Sequence, residues 1–155
     1  ILDLSKTVET LEALCIPVVG YRTSFFPGFY TRSSGIKIQN TIKTAKQASL
    51  LFLDHLKVGL KSSLLIVNPI SKKKEIPKKE IDILVNHSMS EAIKKNIKGK
   101  NLTPFLLKKI VQKTDGRSLT ANIALAENNI KVGAKIARHL YKHDSLSSSA
   151  FRNKV

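Results

Sequence analysis

Leu64-Leu65-Ile66-Val67-Asn68-Pro69 decides the fold class of this 155-residue chain. Four consecutive apolar residues without polar alternation read as a short strand covered on both faces, the pattern of a parallel sheet. Asn68-Pro69 stops it abruptly, because proline brings no N–H to a ladder and restrains the residue before it. Upstream, residues 44–57 have helical spacing, with Ala45, Ala48, Leu51, Phe52 and Leu56 on one face, and Gly59 suits the left-handed position after a helix. Further back, Pro17-Val18-Val19-Gly20-Tyr21 reads as a second buried strand and Ile36-Lys37-Ile38 as a short third. Strands separated by amphipathic helices predict an α/β layered fold.

The flanks fit around this unit. Asp3 can cap a first helix on which Leu4, Val8, Leu11 and Cys15 share a face, and Cys15, closing that stripe, reads as a core residue. Between Arg22 and Gly35 lies a turn-rich loop carrying Phe25, Phe26, Phe29 and Tyr30, and four aromatics must pack on something. The second half shows no strand. Pro77 opens a helix with a stripe of Ile81, Leu84, Val85, Ala92, Ile93 and Ile97 before Gly99. Thr103-Pro104 reads as the cap and first residue of another, with Leu106, Leu107, Ile110 and Val111 on one side and Gly116 at its close. Ser118 then opens a long helix to about Lys142. Residues 1–143 are expected to form one domain; residues 144–155, with four serines and no periodicity, read as a disordered tail or linker. The start at Ile1, with neither Met nor leader pattern, reads as a fragment or processed chain.

With 27 Lys+Arg against 11 Asp+Glu the formal charge is +16, at 42% hydrophobic and 25% charged residues, a globular composition. No apolar run approaches the roughly 18–20 residues of a membrane helix, so no membrane partner is expected. A single cysteine excludes an internal disulfide framework. Lysines gather at Lys72-Lys73-Lys74 and Lys78-Lys79 and recur at Lys94, Lys95, Lys98, Lys100, Lys108 and Lys109. Nucleic-acid binding calls for aromatics interleaved with such charges. Here the aromatics cluster at Phe25 to Tyr30, far along the chain, so a solvated surface is expected, with only non-specific polyanion affinity at low salt.

On the last helix, Asn122, Ala126, Asn129 and Gly133 share a small, polar face beside an apolar one of Leu119, Ile123, Ile130 and Ala137. Such a face admits a ligand or a closely packed helix, and from periodicity alone close packing is the simpler reading. Asn68 stands where open parallel sheets place ligands, beyond the carboxyl end of a strand. Arg32-Ser33-Ser34-Gly35 offers a cation, two hydroxyls and a permissive glycine for a phosphate. His139 and His143 have metal-ligand spacing, but no acid lies at the expected place between them and no metal site is assigned. There is no Ser-His-Asp arrangement, CxxC, Walker loop or GxGxxG.

Several strings occur together in order: Ile16-Pro17-Val18-Val19-Gly20-Tyr21, Phe26-Pro27, Phe29-Tyr30, Arg32-Ser33-Ser34-Gly35, Asn68-Pro69-Ile70, Gly99-Lys100, Thr103-Pro104-Phe105-Leu106-Leu107, Gly116-Arg117-Ser118-Leu119, Ala121-Asn122-Ile123-Ala124-Leu125 and Asn128-Asn129. The series, running from Ile1 to about Leu140, resembles the pseudouridine-5′-phosphate glycosidase, or indigoidine-synthase-A-like, family, and specifically its C-terminal half. The resemblance implies an α/β/α layered sandwich, incomplete here and mainly helical toward its C-terminus. It implies a lyase-type glycosidase of nucleoside catabolism that reversibly cleaves the C–C glycosidic bond of pseudouridine 5′-phosphate, giving uracil and ribose 5-phosphate. It also implies a homotrimer, a Mn²⁺ cofactor, a cytoplasmic setting and a Schiff base between the opened sugar and a lysine. A C–C bond lacks a good leaving oxygen, so an iminium electron sink is chemically reasonable.

By the same resemblance that lysine belongs to a Lys-Ser pair just before Ile1, and the acid, a second lysine and the metal aspartate lie further upstream. The chain then carries no catalytic residue and no metal ligand, and alone is expected to be inactive. Only Asn122 falls on a family active-site position, as a substrate-orienting residue; Arg32, Ser33, Ser34 and Asn68 are subsidiary phosphate or loop contacts. Arg22 stands where the family has glycine, Ser24-Phe25 where it has acids, and Ser71 where it has proline, departures that bear on local loops. The alternative is a non-catalytic basic module that binds nucleic acid or serves as a structural or interaction protein.

Overall fold

The computed structural model describes residues 3–152, with side chains through residue 142. Three strands, β1 (Val18–Tyr21), β2 (Asn40–Ile42) and β3 (Leu65–Val67), form a parallel sheet in the order β2-β1-β3. Val19 pairs with Asn40 on one side and Ile66 on the other. The helices are α1 (Leu4–Ala13), α2 (Ala45–Lys57), α3 (Lys78–Lys94), α4 (Leu102–Lys113) and α5 (Arg117–Arg152). The architecture is α/β and rich in helix, as the apolar runs predict.

Local chemistry sets the helix ends. Asp3 accepts from the Lys6 N–H at the start of α1, and Thr44 with Gln47 forms a reciprocal capping box on α2. Helices α1 to α4 each end with paired backbone bonds around a left-handed residue: Cys15 (φ 52°), Gly59 (80°), Asn96 (53°) and Asp115 (46°). This corrects the reading of Cys15 as core. At its left-handed position the chain turns off α1 towards β1, and the thiol is exposed. Gly20 in β1 has a different reason to be glycine, since a Cβ there would lie 2.0 Å from the Thr23 carbonyl oxygen.

Four element expectations are revised. The strand beside β1 is Asn40–Ile42 rather than residues 36–38. Ile36 and Ile38 are instead engaged by the aromatic loop, through Phe26 N–H to the Ile36 carbonyl at 2.8 Å and Ile38 N–H to the Ser24 carbonyl at 2.9 Å. β3 occupies an edge, with Leu65 and Ile66 half-buried and only Val67 fully covered. α4 starts at Leu102 after a 3-10 turn (Gly99–Asn101), so Thr103 and Pro104 lie inside its first turn. Pro104 is tolerated there because first-turn N–H groups have no intrahelical acceptor. Finally, α5 runs past Lys142 to Arg152, there being no glycine or proline after Gly133 to end it. The stretch read as an unstructured tail thus carries helical backbone through Arg152, and residues 153–155 lie outside the described residues.

Two apolar cores result. Val19, Tyr21, Ile42 and Ala48 pack with Leu64, Ile66, Val132 and Ile136, which seats α2 and α5 against the sheet. Tyr30, Ile70, Ile76, Ile81, Ile110 and Ala121 form the second, joining the aromatic loop to α3, α4 and the start of α5. The stripe that α5 turns inward is therefore Ala121, Leu125, Val132 and Ile136, whereas Leu119, Ile123 and Ile130 are 51%, 53% and 71% exposed. Burying large apolar side chains drives folding, so three left open on one helix mark an uncovered surface.

Candidate functional site

Asn68 is the first residue beyond β3, at the carboxyl edge of the parallel sheet. Its Nδ2 donates to Asn129 Oδ1 on α5 at 2.9 Å, across 61 residues of sequence. The two carboxamides line a cleft of about 470 Å³, walled by Phe29, Ile66, Leu125, Val132 and Gly133. Asn68 and Gly133, singled out for different reasons, are thus brought to one site. Apolar walls with a few aimed polar groups suit a small organic ligand. The mutual bond leaves the Asn68 oxygen as an acceptor and the Asn129 NH₂ as a donor. Among the described residues no lysine lines this cleft.

Asn122 lies seven residues before Asn129 on the same face of α5, about 10.5 Å along the axis at 1.5 Å per residue. It is half-buried, and its Oδ1 is shut off from solvent without a hydrogen-bond partner. The Tyr30 hydroxyl is in the same condition. Burial pushes the Tyr30 pKa up, while the neighbouring Asn122 and Ser118 side chains partly offset this by favouring the ionised form. Ser118 is fully buried, 3.0 Å from the Thr114 hydroxyl.

Arg32, Ser33 and Ser34 are spent largely on the loop itself. Arg32 Nη1 donates to the Ile70 carbonyl at 2.6 Å, and its backbone N–H donates to the Glu75 carboxylate at 2.8 Å. Ser33 Oγ accepts from the Gly35 N–H, and Ser34 Oγ donates to the Phe26 carbonyl while accepting from the Ile36 N–H. Arg32 and Ser33 line a cleft with Arg22 and Lys43, and Ser34 lines another, between α1 and α3. The three do not converge with Asn68 or Asn122. Arg22, the residue in place of the family's glycine, keeps a left-handed backbone at φ 57°, and its Nε donates to the Lys43 carbonyl at 2.7 Å.

His139 lines a separate basic cleft with Arg22, Lys135 and Arg138; the side chain of His143 lies outside the described residues. No cluster of three or more His, Cys, Asp or Glu side chains occurs among the described residues, so the donors there do not fit a divalent metal. The sequence reading kept lysines and aromatics apart, but the fold brings the ammoniums of Lys95 and Lys109 to the Phe105 ring, 5.8 and 5.7 Å from its centre. Tyr30 and Ser118 were not singled out as site residues either. Their signal, buried hydroxyls next to a site amide, exists only in three dimensions. Among the described residues no helix is long and apolar enough to cross a membrane.

Comparison with known proteins bears on the family and the fold. The family described as "Indigoidine synthase A like protein" matches residues 1–139. The pseudouridine-5′-phosphate glycosidase of Staphylococcus aureus is 44% identical over 137 residues, covering 88% of this chain and 45% of that protein. The one from Caldanaerobacter subterraneus is 44% identical over 142 residues, covering 92% and 46%. The chain therefore spans somewhat under half the length of these relatives. Among solved structures, an indigoidine synthase A-like protein of Thermotoga maritima superposes with a TM-score of 0.76 at 41% identity, covering 88% of this chain and 45% of that one. The prealnumycin C-glycosynthase AlnA, solved with ribulose 5-phosphate, shares the fold with a TM-score of 0.86 at 21% identity, covering 94% and 48%.

Proposed function

Because the chain belongs to the indigoidine synthase A-like family, we propose that it serves a pseudouridine-5′-phosphate glycosidase, contributing the C-terminal wall of the site rather than the reactive amine. The observation that carries this is the apolar, amide-lined cleft at the end of β3, in a chain 44% identical to enzymes of that name. The reaction adds water across the C–C glycosidic bond of pseudouridine 5′-phosphate, releasing uracil and ribose 5-phosphate. A lysine outside these residues supplies the Schiff base to C1′, which gives the breaking bond an electron sink. Asn68, Asn129 and Asn122 hold and orient substrate through carboxamide hydrogen bonds, and Phe29, Leu125 and Val132 keep water from the base side.

Mn²⁺ would supply charge neutralisation at the sugar phosphate or its opened carbonyl, from ligands outside the described residues. A homotrimer is part of the same reading, supported by the exposed Leu119, Ile123 and Ile130 on α5. A cytoplasmic setting follows from a phosphorylated substrate. The rival reading, a basic nucleic-acid-binding module, draws on the Phe105 ring with two lysine ammoniums over it.

The test is uracil release from pseudouridine 5′-phosphate with Mn²⁺, by the 155-residue chain and by a form extended upstream in its own reading frame. Activity is expected only in the extended form. Turnover by the 155 residues alone would overturn the division of labour, and an inactive extended form would overturn the function.

A further inference from the structure

Beyond the carboxyl end of β1 a cleft of about 400 Å³ opens between Tyr21-Arg22, Thr44-Ala45 and α5. Arg22, Lys135, Arg138 and His139 line it, and among the described residues no carboxylate does. On α5, Ala134 and Arg138 stand four apart, as do Lys135 and His139, so three donors and one small residue share this side of the helix. On the other side of Arg22 lies a further cleft, to which Arg32 and Lys43 contribute and which again no described carboxylate lines. Cations gathered in a concavity repel one another and focus a positive potential there, and an anion relieves both.

Arg22 is held ready for one. Its φ of 57° is a left-handed conformation that glycine adopts freely and a residue with a Cβ does not. Its Nε donates to the Lys43 carbonyl at 2.7 Å, and its guanidinium carbon lies 5.3 Å from the centre of the Tyr21 ring. These two contacts fix the guanidinium plane and leave both Nη groups without a partner among the described residues. Lys135, Arg138 and His139 likewise make no side-chain hydrogen bond or ion pair among the described residues. A guanidinium held by its Nε and its face, with both Nη groups free, is a pre-organised fork for phosphate oxygens.

We propose that this cleft binds a phosphate group, free or carried by a small monoester, with Arg22 and Arg138 donating to its oxygens and Lys135 and His139 beside them. Three permanent cations match a phosphate dianion better than a singly charged carboxylate. A nucleic-acid strand fits less well, because the tyrosine ring at the cleft, Tyr21, is 6% exposed and its face is taken by Arg22, which leaves it no use as a platform for a base. The cleft is separate from the one at Asn68 and Asn129. Val132 and Ile136 wall that second cleft and pack with Val19, Tyr21 and Ile42, so packed side chains of α5 stand between the two. The proposal goes beyond the glycosidase reading and does not depend on it.

The test is equilibrium dialysis of ³²P-labelled inorganic phosphate against the 155-residue chain and its upstream-extended form, in about 150 mM KCl to screen diffuse surface charge. A saturable site is expected in both, weakened at least about tenfold in Arg22→Gly and in Arg138→Gln, each of which removes a hydrogen bond from a charged donor. Glycine suits φ 57°, so Arg22→Gly is expected to melt no lower than the parent, which separates lost binding from lost folding. Lys100→Gln removes a charge outside the cleft and is expected to leave binding within about twofold. Binding that Arg22→Gly leaves intact, or that Lys100→Gln weakens equally, would overturn the proposal. Displacement of the label by glycerol 3-phosphate extends the site to monoesters, and failure to displace it narrows the site to the free ion. Displacement by single-stranded RNA at lower concentration than by unlabelled phosphate, lost in Arg22→Gly, would overturn the small ligand in favour of a nucleic-acid backbone.

Discussion

Replacing Arg32 by alanine separates a structural role from a phosphate-binding one. Its guanidinium donates to the carbonyl of Ile70, a fully buried residue in the loop after β3. The backbone bond from Arg32 to Glu75 survives the change, so truncation removes one interaction and leaves the Ile70 oxygen without its donor. A hydrogen bond from a charged donor contributes about 1.5–3 kcal/mol, and orphaning a buried acceptor costs a similar amount. Arg32 is only part-buried, so water relieves some of this and roughly 1.5–2 kcal/mol is expected. In a domain of this size that lowers Tm by about 3–8 °C at roughly 2–4 °C per kcal/mol. Urea titration followed by circular dichroism should move the midpoint down by about 0.8–1 M, for a slope near 2 kcal/mol per M. Arg32→Lys should recover only part of the loss, since one ammonium does not reproduce the planar fork. A stability change below about 0.3 kcal/mol, accompanied by a tenfold rise in KM for the phosphorylated substrate, would refute the strap and return Arg32 to the ligand.

Cys15→Gly should stabilise the chain by about 0.5–1 kcal/mol in the same titration, because φ 52° burdens any residue with a Cβ; destabilisation would contradict the helix-end geometry. Glu91 accepts a hydrogen bond from Lys109, and with the charges of Lys109, Lys113 and His87 this holds its carboxyl below the usual range despite an opposing desolvation effect. A depressed folded pKa gives stability that is present above the unfolded value near 4.5 and lost as pH falls through the folded one. Melts below about pH 4.5 should therefore be less pH-dependent in Glu91→Gln, and an unchanged pH profile would exclude the ion cluster as its source. Labelled single-stranded RNA should bind weakly and lose at least about tenfold in affinity between 50 and 150 mM salt. Tight binding that survives 150 mM salt and disappears in Phe105→Ala would instead support the nucleic-acid module.

What the linear chain determined was local. Asp3, Thr44 and Gly59 announce helix ends because capping bonds span only three or four residues, and the unbroken apolar run Leu64 to Val67 announces a strand of a parallel sheet, although not that the strand lies at an edge and is only half-covered. The place of Asn68 beyond the carboxyl end of that strand, beside a cleft, was legible in the same way. Tertiary structure decided the rest. Residues 40–42 won the slot beside β1 because residues 36–38 had been engaged by the aromatic loop, and Cys15 left the core because a left-handed turn took it off its helix face. The Asn68–Asn129 bond and the Arg32 strap join residues that no periodicity connects. Side-chain hydrogen bonds act over about 3 Å, and only the packed chain brings such partners within that distance.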